Sequence, residues 1–224
     1  MRTNLLYLLL ALPVMWSACA ATKEIKEDYR TETYKSRTAH FAENPLKTGQ
    51  IVFFGNSITQ AGEWQHYFPH STVANRGISG DNTEGMLARI DEIIASQPDK
   101  FFIMAGINDI SLSRSNKTII ENYTAIIDKI KANSPQTKIY IQSVLPINND
   151  FAQYKRLSGK ENQVTQLNAL LRLLAQSKDV NYIHLFPFFT DAEGKLKKEF
   201  TGDGLHLSPE AYRVWANVIH RFVE

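Results

Sequence analysis

Five short apolar runs punctuate the chain, at 51–54, 72–74, 101–105, 139–144 and 182–186. Each is short and nearly unbroken, as expected of strands buried on both faces. Between them the apolar positions take a helical period. Met86, Leu87, Ile90, Ile93 and Ile94 mark one face; Ile119, Ile120, Tyr123, Ile126, Ile127 and Ile130 mark another. Val164, Leu167, Leu170, Leu171 and Leu174 mark a third, and Tyr212, Trp215, Ala216, Ile219 and Phe222 a fourth. The fourth opens on Ser208, an N-cap residue type, with Pro209 at the first helical position. Strands alternating with helices predict right-handed crossovers and a three-layer α/β/α domain around a five-stranded parallel sheet.

In such a sheet, ligands bind outside the carboxyl ends of the strands. Ser57 follows the first predicted strand, Gly77 the second and Asn108 the third, while Asp203 and His206 lie beyond the fifth. The pattern therefore predicts that these five residues gather along one edge of the sheet.

The ends of the chain differ in character. Arg2 precedes an apolar stretch at 5–16 and then Ser17, Ala18, Cys19, Ala20 and Ala21, the layout of an export signal over 1–20. The stretch is shorter than the roughly 20 residues of a spanning helix. Two processing routes fit: cleavage after Ala20, or a lipoprotein signal with Cys19 as the lipidated first residue and a membrane tether. Trp16 departs from the aliphatic residue usual in the second. Either route predicts an exported protein, at the periplasm, at the cell surface or secreted. Residues 21–47 are polar and charged and predict a tether running into a peripheral segment, with a short helix near 29–41. Residues 48–224 then form one domain, within the usual size range for a single core.

Of the 224 residues 43% are hydrophobic, and 25 basic side chains nearly balance 23 acidic ones. A net charge of +2 without a basic block argues against nucleic acid as a partner. Cys19 is the only cysteine, so the domain holds no internal disulfide, no thiol nucleophile and no cysteine zinc site. His40, His66, His70, His184 and His220 lack partners at metal-ligand spacing, so no metal is expected.

The chemistry-bearing residues are a serine, a histidine and an aspartate. A serine hydroxyl is a weak nucleophile at neutral pH and needs a base within hydrogen-bond reach, which in turn needs a group to fix its tautomer. Taken singly, Ser57 reads as a turn residue and Asp203-x-x-His206 as a surface turn before a helix. Together, with Gly77 and Asn108 on the same edge, they read as a site.

Four segments carry a resemblance: Gly55-Asn56-Ser57-Ile58-Thr59, Asn75-Arg76-Gly77-Ile78-Ser79-Gly80, Gly106-Ile107-Asn108-Asp109 and Asp203-Gly204-Leu205-His206-Leu207. In this order they resemble the four sequence blocks of the SGNH, or GDSL, hydrolase family. The resemblance implies a flavodoxin-like fold and a serine esterase. It implies Ser57 as nucleophile, His206 as base and then acid, and Asp203 as the group orienting His206. It further implies an oxyanion hole made by the Ser57 and Gly77 N–H groups and the Asn108 amide, with no cofactor. The family's Gly-Asp-Ser is Gly-Asn-Ser here; Asn56 is expected to keep a hydrogen bond to nearby backbone while removing a charge.

The implied substrate is a short acyl ester, acetyl foremost, on a carbohydrate or another small molecule. Longer-chain lysophospholipid or thioester hydrolysis and a noncatalytic glycan-binding module are the alternatives. Asp109 is read as loop support, and Arg76 and Asp81 as loop braces or substrate contacts. Trp64, Tyr67, Phe68, Phe151 and Tyr154 either wall the cleft or pack the core, and the long loop at 146–159 is the expected seat of specificity.

Overall fold

The computed structural model describes residues 28–224. The expected export signal, Cys19 and the start of the tether lie outside the described residues. Helix α1 (Glu32–Glu43) comes first, followed by strands β1 (Ile51–Gly55), β2 (Val73–Gly77), β3 (Lys100–Met104), β4 (Lys138–Gln142) and β5 (Asn181–Ile183). These form one parallel sheet in the order β2-β1-β3-β4-β5. Short helices α2 (Ser57–Gln60) and α3 (Trp64–Tyr67) follow β1, and α4 (Thr83–Ala88) and α5 (Ile90–Ala95) follow β2. Next come α6 (Ile107–Ser111) and α7 (Asn116–Asn133) after β3, α8 (Glu161–Ser177) after β4, and α9 (Phe186–Phe189) and α10 (Pro209–Val223) after β5. Helix α7 packs against α4, α5 and α8, α4 packs against α5, and α10 against α3.

The strand cores sit where the apolar runs predict, but the ends of β2 and β5 differ by three residues. Strand β2 runs on to Gly77, three residues past its apolar run, because Asn75, Arg76 and Gly77 continue the ladder with Phe53, Phe54 and Gly55. The fifth run stops pairing at Ile183 because the chain turns there: Leu185 N–H donates to Ile183 O at 3.1 Å and Phe186 N–H to Ser143 Oγ at 2.9 Å as α9 begins.

The core is apolar and stacked. Trp64 lies flat on Phe53 with centroids 4.2 Å apart, Phe53 on Phe102 at 5.0 Å and Phe102 on Tyr140 at 4.5 Å. That row of rings spans β1, β3 and β4 and assigns Trp64 to the core, as it does Phe68, which stacks on Phe53 from the other end and is fully buried. The indole N–H of Trp64 donates to Thr59 O at 2.9 Å, which ties the core to the turn after β1. Ser208 caps α10 as expected, accepting from Ala211 N–H. Tyr212 of that helix donates to Ile58 O at 2.7 Å, so the last helix grips the first turn of the site.

The segment before β1 does more than run past the domain. Tyr29, Tyr34 and Phe41 bury a small second cluster with Ile78 of the loop after β2. Tyr34 also donates to Gly85 O at 3.0 Å, and Arg37 to Gly77 O at 3.4 Å. Helix α1 thus clamps the outer side of that loop.

Candidate active site

Ser57 opens α2 at the carboxyl end of β1. Asn56 is its N-cap, in extended conformation, with Oδ1 accepting from Ile58 N–H at 3.0 Å. The amide that stands where the resemblance expects an acid therefore makes the backbone bond expected of it. The Ser57 N–H is at the first helical position and has no intrahelical acceptor.

Across the cleft lies the loop before α10. Thr201 Oγ1 accepts from Gly204 N–H at 2.9 Å, and Gly204, at φ +88°, lies so close to Asn148 O that a Cβ would stand 2.2 Å from it. Only glycine fits that turn. The turn directs Asp203 back onto its own loop: Oδ1 accepts from His206 N–H at 2.8 Å and Leu205 N–H at 2.9 Å, and Oδ2 meets His206 Nδ1 at 2.7 Å. His206 Nε2 lies 2.9 Å from Ser57 Oγ, a contact between residues 149 positions apart. The fold thus brings together the serine, histidine and aspartate named from sequence.

The electrostatics assign the proton positions. Burial pushes the Asp203 carboxyl up, but hydrogen bonds from the imidazole, from the backbone N–H groups of His206 and Leu205 and from Tyr154 outweigh it, and its pKa falls to about 2. An ionised carboxylate only accepts, so His206 Nδ1 carries a proton and Nε2 is left to accept from the Ser57 hydroxyl. Such an arrangement can take a proton from the serine as it attacks.

The anion-binding side departs from expectation at one residue. Gly77 lies in β2, and its N–H is committed to Asn75 Oδ1 at 2.9 Å. Asn75 is itself fixed, its amide donating to Thr59, Gln60 and Gly62 carbonyls at 2.9–3.0 Å. Gly77 is therefore not a free donor. It is glycine because β2 touches α2: a Cβ would stand 2.3 Å from Gln60 N and 2.6 Å from Gln60 Cα, both backbone. Gly77→Ala must displace the helix that carries Ser57, and a loss of about 3 kcal/mol is expected from the clash, read as a lower urea unfolding midpoint.

Further along the same loop, Ser79 N–H is taken by Gln60 Oε1 at 2.7 Å and Asp81 N–H by Ile78 O at 3.1 Å. Between them the Gly80 N–H has no acceptor among the described residues. Asn108, on α6 at the end of β3, donates one amide hydrogen to Asp81 O at 2.7 Å and keeps the other. The free donors on this side are thus Ser57 N–H, Gly80 N–H and the second Asn108 hydrogen.

The surrounding charges are braces. Asp81 pairs with Arg89 at 2.8 Å, both buried, and Arg89 also donates to Arg76 O at 2.9 Å and Gly55 O at 3.3 Å while lying 4.1 Å over the Phe54 ring. Burial pushes the Asp81 carboxyl up to about 6 against the pull of Arg89. Arg76 pairs with Glu92 at 2.8 Å. Asp109 accepts from Thr83 N–H at 3.0 Å and Thr83 Oγ1 at 2.7 Å, holding the start of α4 as loop support. No group of three or more potential metal ligands occurs among the described residues.

One residue has a closer place than its sequence suggested. Tyr154, in the loop between β4 and α8, puts its hydroxyl 3.0 Å from both Asp203 Oδ2 and His206 Nδ1. Its neighbour in the aromatic set, Phe151, is half-buried beside Gly204.

Known proteins share this arrangement of chain. The GDSL-like Lipase/Acylhydrolase family model matches residues 53–214. Rat platelet-activating factor acetylhydrolase IB subunit alpha1 is 25% identical over 186 residues, covering 80% of this chain and 77% of that protein. A Streptococcus pneumonia structure, described as a candidate platelet activating factor, superposes with a TM-score of 0.79 at 29% identity, over 88% of this chain and 95% of that one. The structure of the acetyl xylan esterase AlAXEase shares the fold with a TM-score of 0.65 at 21% identity, over 78% of this chain and all of that one, at 100%. With the family model spanning most of the chain and its four blocks gathered on one sheet edge, this protein belongs to the GDSL-like lipase/acylhydrolase family of ester hydrolases.

Proposed function

We infer that the protein hydrolyses short acyl esters, acetyl foremost, by a double displacement at Ser57. The observation that carries the mechanism is the unbroken line Ser57 Oγ, His206 Nε2 and Nδ1, Asp203 Oδ2, with contacts of 2.9 and 2.7 Å. Ser57 Oγ attacks the carbonyl carbon while Nε2 takes its proton. The oxyanion falls to the Ser57 and Gly80 N–H groups and the free Asn108 hydrogen; losing one such donor costs about 10²- to 10³-fold in rate. His206 returns the proton to the departing alcohol oxygen. Water then attacks the acyl-serine with His206 as base, the acid leaves, and the proton goes back to Ser57 Oγ.

The size of the acyl group is supported by the small space next to the site. Asn56 and Ile58, the neighbours of Ser57, and Leu205, next to His206, border a partly open, mainly apolar space with Met104, Ile107 and Val144. It leaves about 10 Å³ for the centre of a water-sized molecule, room for roughly one methyl-sized group. A long acyl chain has no place there. The names of the platelet-activating factor acetylhydrolase relative and of the acetyl xylan esterase neighbour share the acetyl group. A carbohydrate carrier is the reading favoured with them, and the leader-like 1–20 segment would put that carrier outside the cytoplasm.

The test compares acetyl and octanoyl p-nitrophenyl esters, then acetylated xylan and acetylated monosaccharides, with fluorophosphonate labelling of Ser57 as the measure of an activated serine. A kcat/KM at least about tenfold higher for acetyl is expected, one methyl-scale pocket being worth that order of discrimination. Preference for octanoyl overturns the acetyl assignment, and folded wild-type protein that takes no label overturns the hydrolase mechanism.

A further inference from the structure

The loop between β4 and α8 reaches the site through a side chain that none of the four motifs contains. The Tyr154 hydroxyl stands 3.0 Å from Asp203 Oδ2 and 3.0 Å from His206 Nδ1, closing a triangle whose third side is the 2.7 Å contact of imidazole and carboxylate. Its ring meets the imidazole edge-on, centroids 5.7 Å apart and planes at 68°. The loop is anchored independently of that contact. Asn148 N–H donates to Gly204 O at 2.8 Å and Asn148 Nδ2 to Leu196 O at 2.8 Å, while Lys195 and Asp150 pair at 2.6 Å.

The direction of each bond follows from who holds the protons. Burial, then the bond to Asp203 and its charge, hold the Tyr154 phenol above its ordinary range, so it keeps its proton and donates it. Asp203 Oδ1 accepts from two backbone N–H groups and the Thr201 hydroxyl, whereas Oδ2 serves two other side-chain donors, the phenol and the imidazole Nδ1–H. Among the described residues, the titratable groups facing His206 are Asp203 from its own loop and Tyr154 from the β4–α8 loop, with the Ser57 hydroxyl opposite from α2.

We propose that Tyr154 is a positioning residue for the hydrolytic base: its hydroxyl shares Asp203 Oδ2 with the imidazole, fixing the carboxylate and moderating its pull on the Nδ1 proton, while its ring limits the swing of His206. The inference rests on the serine-hydrolase reading above. Without the hydroxyl, the whole charge of Oδ2 acts on Nδ1–H. The protonated imidazole is then stabilised, and the base is unavailable up to a higher pH.

The test is Tyr154→Phe, which keeps the ring and removes one oxygen. With p-nitrophenyl acetate between pH 5 and 9, kcat is expected to fall about tenfold, the order set by one hydrogen bond to a charged group. KM should stay within about twofold, and the acid-limb midpoint should rise by about half a unit. The rate of fluorophosphonate labelling of Ser57 should show the same drop and the same displacement, with no dependence on having chosen the right ester. In an Asp203→Asn background, Tyr154→Phe should have no further effect, because the shared oxygen is gone. Wild-type kcat and pH midpoint in Tyr154→Phe overturn the proposal, as does an equal loss in the Asp203→Asn background. If the wild type labels and Tyr154→Phe labels identically, only this inference falls. If folded wild type does not label, it falls together with the hydrolase reading.

Discussion

Ser57→Ala is expected to lower kcat by about 10⁴- to 10⁶-fold, the range found when a triad nucleophile is removed and only oxyanion donors and binding remain. Stability should barely change. The hydroxyl makes one contact, to His206 at 2.9 Å, at a half-buried position, and substitutions of that kind stay within about 0.5 kcal/mol. Asp203→Asn should cost almost as much activity, since an amide can donate to Nδ1 and so favour the wrong tautomer. The acid limb of the wild-type profile should not report Asp203. Its pKa is held at about 2, below the ordinary carboxylate range, so its contribution to stability and function is present above about pH 4 and is lost only as pH falls through about 2. A wild-type acid limb centred below about pH 4 would contradict the assignment of His206 as base. So would Ser57→Ala retaining a tenth of the wild-type rate.

Arg89→Met carries the second large effect, and this one is on folding. Arg89 holds together the ends of β1 and β2 through Gly55 O and Arg76 O, and holds the oxyanion loop through the Asp81 carboxylate. Breaking a buried pair by removing one partner costs about 3–5 kcal/mol. Methionine fills the space over Phe54 but leaves the carboxyl, already pushed up by burial, without its cation. Asp81 must then take up a proton to stay buried. The folded variant binds a proton that the unfolded chain releases, so its stability falls as pH rises. The deficit measured by urea unfolding should therefore be larger at pH 8 than at pH 6. Since Asp81 O fixes the Asn108 amide, kcat should fall with it. A deficit below about 1 kcal/mol, within the range of ordinary substitutions, or one independent of pH would show that Arg89 is not the brace.

The parallel sheet was legible in the chain because its strands, buried on both faces, consist of apolar residues with almost no interruption. All five residues named for the site lie at or beyond strand carboxyl ends, as the rule that ligands bind there implies; what differs is the donor role of Gly77, whose N–H is held by Asn75 Oδ1. Asn75, Arg76 and Gly77 are polar or small and show no apolar signal, yet they continue the β2 ladder, and Arg76 can be buried there because Glu92 and Asn44 O take its guanidinium. The donor role of Gly77 came with the resemblance; in the structure the ladder takes the Ile78 N–H to Gly55 O and Gln60 Oε1 takes that of Ser79, which leaves Gly80 as the first N–H of the loop without an acceptor among the described residues. Tyr154 reads from sequence as a cleft or core aromatic in the expected specificity loop, but nothing local to 146–159 reveals its partner 49 positions away. The clamp by α1 was likewise hidden: its Tyr29, Tyr34 and Phe41 make a sparse stripe in a charged segment, and the residue they cover, Ile78, is a single apolar position in a polar loop.

Nucleophile and base sit at opposite ends of the domain's sequence, and the bond from Tyr212 to Ile58 O draws them together only when the closing helix docks. A nascent polypeptide not yet closed by that helix has β1 and its serine without the contact that holds His206 beside it. Such a chain lacks the base that activates Ser57, so hydrolytic competence waits on the docking of the last helix against the first turn of the site.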